Sequence, residues 1–237
     1  AANTASSGET LSGARATEDL MVQWVGQPGG DFGIDRNPRM PAPVAAGGRL
    51  FHQGLNRVAA MDAYNGSVLW SLEIPDLRRV NIPHDCSNWC VDADHLFMAI
   101  KDRVWIHEAA TGKRVATLTV PSNRESKHEW GYIAHAGDRL VGSSVLPEAA
   151  YTEYWGGDKW YDGKGDEAGT GKVCSDRMFA YDLTTRELAW TYEKGLVLNS
   201  SISIGGGKVY FVETRNANVL AGTARQITGK EVWLDQY

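Results

Sequence analysis

The fold is decided by the stretch Met61-Asp62-Ala63-Tyr64-Asn65-Gly66-Ser67-Val68-Leu69-Trp70. It predicts a strand that ends at Asp62, a tight turn at Asn65-Gly66, and a second strand that reaches Trp70. Asn-Gly between two apolar runs is a strong hairpin signal, because both residues tolerate the positive φ angles of a type I′ turn. The stretch therefore predicts two adjacent antiparallel strands.

The same phrase recurs three more times, at residues 106–115, 180–190 and 227–233. Its turn positions, Gly66, Gly112, Arg186 and Gly229, are 46, 74 and 43 residues apart. Two of these intervals match the roughly 40–50 residues of a four-stranded propeller blade. The long interval predicts an insertion at about 147–172, whose removal restores the period.

Four strands can be drawn in each period, so we predict four blades of an all-β propeller. A β-sandwich is the alternative, but a sandwich does not explain a phrase that repeats at this spacing. Residues 21–26 predict a stray outer strand before the first blade. The predicted first strands are 43–46, 90–93, 132–136 and 201–204; the second are 49–54, 95–100, 139–144 and 208–213; the third are 57–61, 103–107, 177–181 and about 219–225; the outermost are 68–72, 114–119, 188–192 and 231–234.

The composition agrees with an all-β protein. The chain has 237 residues and is rich in Gly (26), Trp (9) and Tyr (9), which favours strands joined by tight turns. A net charge of −5 argues against nucleic-acid binding, which usually requires a basic surface. No apolar run approaches the roughly 18 residues that a membrane span requires.

Neither the cysteines nor the first twenty residues identify the cellular compartment of the protein. Three cysteines do not make a disulfide framework; Cys86 and Cys90 could pair, which would leave Cys174 as a small buried apolar residue. Residues 1–20 are small and polar and predict a flexible leader. They lack the charged and apolar regions of a signal peptide, so either such a peptide was removed or the chain was cut from something longer.

The repeated phrase, Asp-Ala-x-x-Gly-x-x-x-Trp, resembles the pyrroloquinoline-quinone-like (PQQ-like) propeller repeat over residues 21–237. Asp62, Gly66 and Trp70 match it fully. In the resemblance the Asp caps the turn, the Gly takes a positive φ, and the Trp fills the gap between blades. The other copies match in part, at Glu108, Ala109 and Gly112 (with Ala116 for Trp), at Asp182 and Trp190 (with Arg186 for Gly), and at Gly229 and Trp233 (with Arg225 for Asp).

The resemblance carries several implications about the whole protein. PQQ-like repeats occur in the bacterial outer-membrane assembly lipoprotein, a binding scaffold, and in bacterial proteins that also carry a methyltransferase domain. The resemblance thus implies that this protein is periplasmic or extracellular. Such propellers usually have seven or eight blades, so this chain is a piece of a longer polypeptide, half of a dimeric ring, or a closed four-bladed ring.

Quinone catalysis is the enzymatic alternative that the resemblance implies. Quinoprotein alcohol dehydrogenases hold PQQ between a Trp floor and a disulfide of adjacent cysteines, with calcium on Glu, Asn and Asp. This sequence has no adjacent cysteines, and no motif marks the converging oxygens that calcium needs. His84, Asp85, Cys86 and Cys90 give too few neighbouring ligands for zinc. We therefore predict no metal and no cofactor, with PQQ and calcium as the alternative.

The insertion is rich in aromatic side chains, which either grip a partner or fold back over the blades. These residues are Tyr151, Tyr154, Trp155, Trp160 and Tyr161.

The loops that lead into the first strands predict a binding mouth, because in a propeller these loops gather at one end of the central channel. They combine polar groups with two Trp residues, which suits a ligand or partner site, although such residues can also simply be solvated. The predicted mouth comprises Arg79, Asn81, Asn88, Trp89, Glu129, Trp130 and Asn199, with Arg215 from a loop between strands.

The sequence thus predicts a PQQ-like propeller that serves as a non-catalytic scaffold for a protein or ligand, within a larger propeller or multidomain protein. The alternative is a quinone- or metal-dependent oxidoreductase whose remaining ligands lie on blades outside this chain. Fold alone does not decide between them.

Overall fold

The computed structural model describes residues 41–54, 56–77, 88–121, 128–147, 172–217, 220 and 226–227. The predicted leader, most of the insertion with its five aromatic residues, Arg79, Asn81, Cys86, Gly229 and Trp233 lie outside the described residues. Within the described part, no helix combines the length and the apolar character needed to cross a bilayer.

Three four-stranded antiparallel sheets follow one another along the chain, and in each the strands pair in sequence order from the inside outwards. Blade 1 is β1 (Val44–Ala46), β2 (Arg49–Gly54), β3 (Arg57–Asp62) and β4 (Val68–Glu73). Blade 2 is β5 (Trp89–Val91), β6 (His95–Ile100), β7 (Arg103–Glu108) and β8 (Arg114–Thr119). Blade 3 is β9 (Glu129–Ala136), β10 (Arg139–Val145), β12 (Arg177–Asp182) and β13 (Leu188–Tyr192), with β11 (Lys172–Ser175) outside its sheet.

Blade 4 is described as the hairpin of β15 (Ser203–Gly205) and β16 (Lys208–Tyr210). Its predicted outer strand at 231–234 lies outside the described residues. A fourth four-stranded sheet joins β11 to β14 (Leu196–Leu198), β17 (Glu213–Thr214) and β18 (Gln226–Ile227). The sequence did not predict this sheet, and the predicted strand 208–213 is wrong at its end because Glu213 pairs with Val197 there.

The blades pack face to face, and each gap between them holds an apolar core. The first junction, between blades 1 and 2, includes Phe51, Val58, Trp89 and Met98. The second, between blades 2 and 3, is formed by residues such as Phe97 and Phe179. The third, between blades 3 and 4, is formed by Val141, Met178 and Ile202, among others.

Blade 2 shows why the cores alternate along each strand. Met98 faces the first junction, whereas its neighbours Phe97 and Ala99 face the second. Successive side chains of a strand point to opposite faces, so a strand covered on both faces is apolar almost throughout, and His95–Ile100 is buried at five of its six positions. The predicted propeller of about four blades is confirmed.

The outer hairpins share one turn, which differs in type from the prediction. The Gly66 N–H donates to the Asp62 carbonyl at 2.8 Å and the Asp62 N–H to the Ser67 carbonyl at 2.9 Å. Gly66 has a φ of 74°, but Asn65 has no positive φ, so the predicted type I′ turn is wrong. Asn65 instead accepts the Ser67 N–H through its side chain at 2.8 Å, an Asx turn that leaves only one left-handed residue.

Two of the predicted structural roles of the repeat, the Asp cap and the positive φ at the turn, are observed in described copies. The Asp62 carboxylate accepts the N–H groups of Tyr64 and Asn65 at 2.8 and 3.0 Å. Asp182 does the same for the two corresponding N–H groups of its own turn. The hydrogen bond from Thr185, first among several, lowers the pKa of Asp182. Gly112 repeats the positive φ at 74°, and Arg186 adopts it at 61° without being glycine.

Candidate functional site

The predicted mouth residues lie mostly inside the protein rather than on its surface. Trp89 and Trp130 are strand residues, in β5 and β9, and both are fully buried. Their placement in loops is therefore wrong. Asn88, just before β5, and Asn199, in a 3-10 turn, are also fully buried. Glu129 is half-buried at the start of β9.

Packing between blades explains where the two Trp rings go. Trp89 lies in the first junction, and its Nε1–H donates to the Ala42 carbonyl at 3.1 Å. Trp130 lies in the second junction, with its ring 4.9 Å from that of Phe179. It packs so closely over Gly142 that a Cβ there would lie 2.7 Å from the indole. The sequence contains no signal for this approach except Gly142 itself.

The two buried asparagines stabilise the backbone at the ends of the junctions. The Asn88 side chain donates from Nδ2 to the Leu77 carbonyl at 2.8 Å. The Asn199 Oδ1 accepts from the Ser175 hydroxyl, which also contacts the Ser143 hydroxyl at 2.7 Å. Together with the Tyr132 N–H, which donates to the Ser143 hydroxyl at 2.7 Å, these contacts give the three buried side chains hydrogen-bond partners, as buried polar groups usually require. The network ties β11 to blade 3.

Arg215 is the one described mouth residue that is exposed. Its guanidinium forms an ion pair with Glu213 and contacts the Tyr192 hydroxyl at 3.1 Å. The Tyr192 hydroxyl in turn donates to the Glu213 carboxylate at 2.8 Å. The Tyr192 hydrogen bond is the largest factor raising the pKa of Arg215, with Glu213 next. The structure thus holds Arg215 beside blade 3, separate from the buried asparagines and tryptophans.

A cleft of about 1130 Å³ opens at the opposite end of the channel from the predicted mouth. We call it the turn-end cleft, because its rim consists of the turns that join first strands to second strands. Those turns contain Gly47 and Gly48 in blade 1, Gly137 in blade 3, and residues 205–207 in blade 4. Its walls come from all four blades and include Asp92, Tyr132, His135 and Trp190.

Asp92 and His135 join blades 2 and 3 inside this cleft. One Asp92 carboxylate oxygen accepts the N–H groups of Asp94 and His95 at 2.8 and 2.6 Å. The other lies 3.6 Å from Nε2 of His135, whose ring stacks on Phe97 at 5.9 Å. The nearby Cys90 thiol is buried; burial is the main cause of its raised pKa, and the Asp92 charge adds to it. A raised pKa keeps the thiol protonated, and burial limits access to it, which is typical of a structural cysteine.

The described residues do not fit the site of a quinoprotein dehydrogenase. They contain no cluster of three His, Cys, Asp or Glu side chains that could hold a metal ion. Cys90 and Cys174 are buried in two different clusters, so they do not form the adjacent pair that would lie against the quinone.

Comparison with known proteins gives structural neighbours only. No protein-family model and no curated protein sequence matches this chain. Two quinohemoprotein alcohol dehydrogenases, from Pseudomonas putida HK5 and Comamonas testosteroni, are each 17% identical, with TM-scores of 0.45 and 0.44. The matches cover 68% and 67% of this chain.

BamB from Moraxella catarrhalis is a third neighbour, with 13% identity, a TM-score of 0.39, and 72% of this chain covered. The matches span only 21%, 22% and 47% of the respective neighbours. The propeller assignment itself rests on the stacked sheets and shared turns of this chain. The chain is a β-propeller repeat protein with the PQQ-like phrase, and its structural neighbours include quinohemoprotein dehydrogenases and BamB.

Proposed function

We propose that this chain is a non-catalytic binding scaffold that forms part of a larger propeller or multidomain protein. The observation that supports the proposal is the outward face of blade 4. Val209 and Phe211 pack against the third junction, so the intervening Tyr210 points away from blade 3. Tyr210 and Val212 are 54% and 60% exposed.

The equivalent positions in the other blades are covered by the next blade. Each is the third residue of a second strand, namely Phe51, Phe97 and Val141, and these are 0%, 1% and 3% exposed. Tyr210 occupies the same position in β16. An exposed large apolar residue at a position that is buried in the three other blades supports an interaction surface on blade 4. The proposed occupant is a further blade of the same repeat type.

The mass of the native polypeptide and the solution mass of this chain test the proposal. We expect either a longer native polypeptide or a dimer of this chain. If a dimer forms, Tyr210→Glu and Val212→Glu should each weaken it about tenfold or more, since each places an uncompensated charge in an apolar interface. Tyr64→Glu is the control, because Tyr64 is exposed on a blade 1 turn. A monomeric native protein of this length would contradict the proposal.

Incubation with PQQ and calcium tests the non-catalytic part separately. We expect no bound chromophore on the complete protein. A stoichiometric bound quinone would overturn this part and favour the oxidoreductase alternative.

Two further parts of the proposal depend on the sequence resemblance. The first is a periplasmic or extracellular location, which labelling of intact cells with an impermeant reagent would test. The second is partner binding near Glu129 and Arg215 and through the insertion. Among the mouth residues that the structure describes, these two are partly or fully accessible, whereas the buried Trp89, Trp130, Asn88 and Asn199 would position the surrounding backbone.

A further inference from the structure

Each second strand begins with a basic residue at the same register position. The residues are Arg49, His95, Arg139 and Lys208. Because this position follows the turn between the first and second strands, the four residues lie at the same end of their blades. Arg49, Arg139 and Lys208 line the turn-end cleft directly. The four basic residues can be found in the sequence, but their shared position becomes apparent only when the blades are aligned with one another.

Two of these bases already have acidic partners. Arg139 pairs with Asp138 at 3.0 Å and also with Asp182. His95 lies 3.5 Å from the Asp92 carboxylate. Asp92 also accepts two backbone N–H groups and faces His135. The two acidic residues that line the cleft, Asp92 and Asp138, are therefore already engaged.

Arg49 and Lys208 are different, because neither has a carboxylate partner among the described residues. Arg49 donates from Nη1 to the neutral Gly47 carbonyl at 3.2 Å, and no ion pair joins it to a described acidic residue. Lys208 is exposed and likewise has no described ion pair. The two cations come from blades 1 and 4, so they reach the cleft from separate sheets.

The rim around these cations is open. A Cβ built on Gly48, Gly137 or Gly206 would meet no atom within 4 Å. A ligand can therefore approach the backbone of these turns, where N–H groups can donate to anionic oxygens. The cleft, at about 1130 Å³, is slightly larger than the roughly 300–1000 Å³ typical for small-molecule sites.

We propose that the turn-end cleft binds a small polyanion, a molecule that carries two or more carboxylate or phosphate groups. Arg49 and Lys208 both line this cleft and neither pairs with a described acidic residue, so a ligand that engages both needs at least two anionic groups. Tyr210, on which the proposed function rests, does not line the cleft, so the two proposals are tested at different residues.

Titration calorimetry with citrate and with inorganic pyrophosphate tests the proposal. We expect saturable binding of at least one probe, weakened by salt because the attraction is between charges. Arg49→Gln and Lys208→Gln should each reduce affinity about tenfold, the effect of losing one hydrogen bond to a charged group. Binding of citrate alone would identify a carboxylate ligand, and binding of pyrophosphate alone a phosphate ligand.

Two controls keep the result interpretable. Lys113→Gln removes an exposed cation from the outer turn of blade 2 and should leave affinity within about twofold of the parent, as expected for a distant surface charge. Arg49→Lys should restore part of the affinity that Arg49→Gln loses. The proposal is overturned if neither probe binds saturably, or if Lys113→Gln weakens binding as much as the two cleft variants.

Discussion

The first and second junctions both fill the gap between two neighbouring blades, but they do so with different side chains. In the first, Trp70 of blade 1 lies over the turn of blade 2 and donates from Nε1 to the Ala109 carbonyl at 3.0 Å. In the second, the position of Trp70 is taken by Ala116 and the position of Ala109 by Leu183, and both pack against the same core. The larger side chain therefore comes from the earlier blade in the first junction (Trp70) and from the later blade in the second junction (Leu183).

The exchange extends to the residue beneath each turn. His107 of blade 2 is buried, with Nδ1 2.6 Å from the Gly112 carbonyl. Its counterpart in blade 3 is Tyr181, whose hydroxyl donates to the Thr119 carbonyl at 2.7 Å across the second junction. The motif therefore specifies the total side-chain volume that fills a junction, and either of the two facing blades can supply that volume.

Trp70→Ala should have the largest effect on stability. It removes an indole packed against a neighbouring blade and its hydrogen bond, so we expect a loss of about 3 kcal/mol in the free energy of unfolding. Denaturation in urea measures it. Trp190→Ala is the matched control at the same motif position; because Trp190 is already 36% exposed, it should cost about 1 kcal/mol. Equal losses would contradict the packing role of Trp70.

Gly112→Ala should cost about 2–3 kcal/mol, since it combines a left-handed backbone with a clash. The new Cβ would lie 2.9 Å from the Trp70 ring. Gly48→Ala has nearly the same φ, 72°, and no atom within 4 Å, so it should cost only about 1–2 kcal/mol. The difference between the two variants, measured by urea denaturation, isolates the contact that the first junction makes.

Exchanging bulk in the second junction tests the comparison directly. Leu183→Ala should cost about 1.5 kcal/mol, because Leu183 is only partly buried, and Ala116→Trp should cost about 1–2 kcal/mol by overpacking. The double variant recreates the pair found in the first junction. It should therefore be less destabilised than the sum, by about 1 kcal/mol in a double-mutant cycle. Strict additivity would show that the two positions do not share a space.

Lowering the pH should weaken the first junction more than the second. Because a carbonyl only accepts, Nδ1 of His107 carries the hydrogen; Nε2 has no described partner, so a proton there would be buried unpaired. Burial, the largest cause, lowers the pKa of His107 below its ordinary 6.5. The unfolded chain then binds the proton first, so stability is retained above pH 6.5 and falls as the pH drops below it, by up to about 1.4 kcal/mol per unit.

His107→Gln is the variant that tests this pH dependence. The parent should lose about 1 kcal/mol more than the variant between pH 7.5 and 5.5, as measured by denaturation. Identical pH profiles would assign the loss to other groups, such as His52, whose pKa burial also lowers.

Arg186→Gly should give the smallest effect and the opposite sign. Arg186 has a φ of 61°, in the region that costs a side chain about 1 kcal/mol. Glycine removes that cost but loses more entropy on folding, so we expect a gain of about 0.5 kcal/mol in thermal or urea unfolding. Gly66→Ala at the equivalent turn should destabilise. A loss from Arg186→Gly would mean that the arginine side chain contributes more than its backbone costs.

Local patterns predicted most of the fold because they depend on neighbours in sequence. The hairpin closing on Trp70 and its copies follow from turn residues and alternation. The sheet that pairs Lys172–Ser175 with Leu196–Leu198 could not be predicted this way, because it depends on where the chain returns after the insertion. The type I′ turn was wrong because Asn65 uses its side chain, rather than a positive φ, to close the turn.

The candidate site was harder to predict, because a strand's register decides which face a side chain occupies. Starting β5 at Trp89 rather than one residue later turns a presumed surface ring into a core residue. Likewise, β9 begins at Glu129 and carries Trp130 into the second junction. The cleft lies at the other end of the channel, where the repeated base at the head of each second strand was a signal that sequence reasoning did not use.

The double-faced construction of blade 2 has a consequence for how this protein loses its structure. Because Met98 and Phe97 belong to different cores, unfolding of blade 2 would expose the packed faces of both blade 1 and blade 3 at the same time. Blades 1 and 4 each have only one described apolar contact face, so neither carries this penalty. Fraying should therefore advance inwards from these two blades, and amide exchange should slow from residues 203–210 towards His95–Ile100.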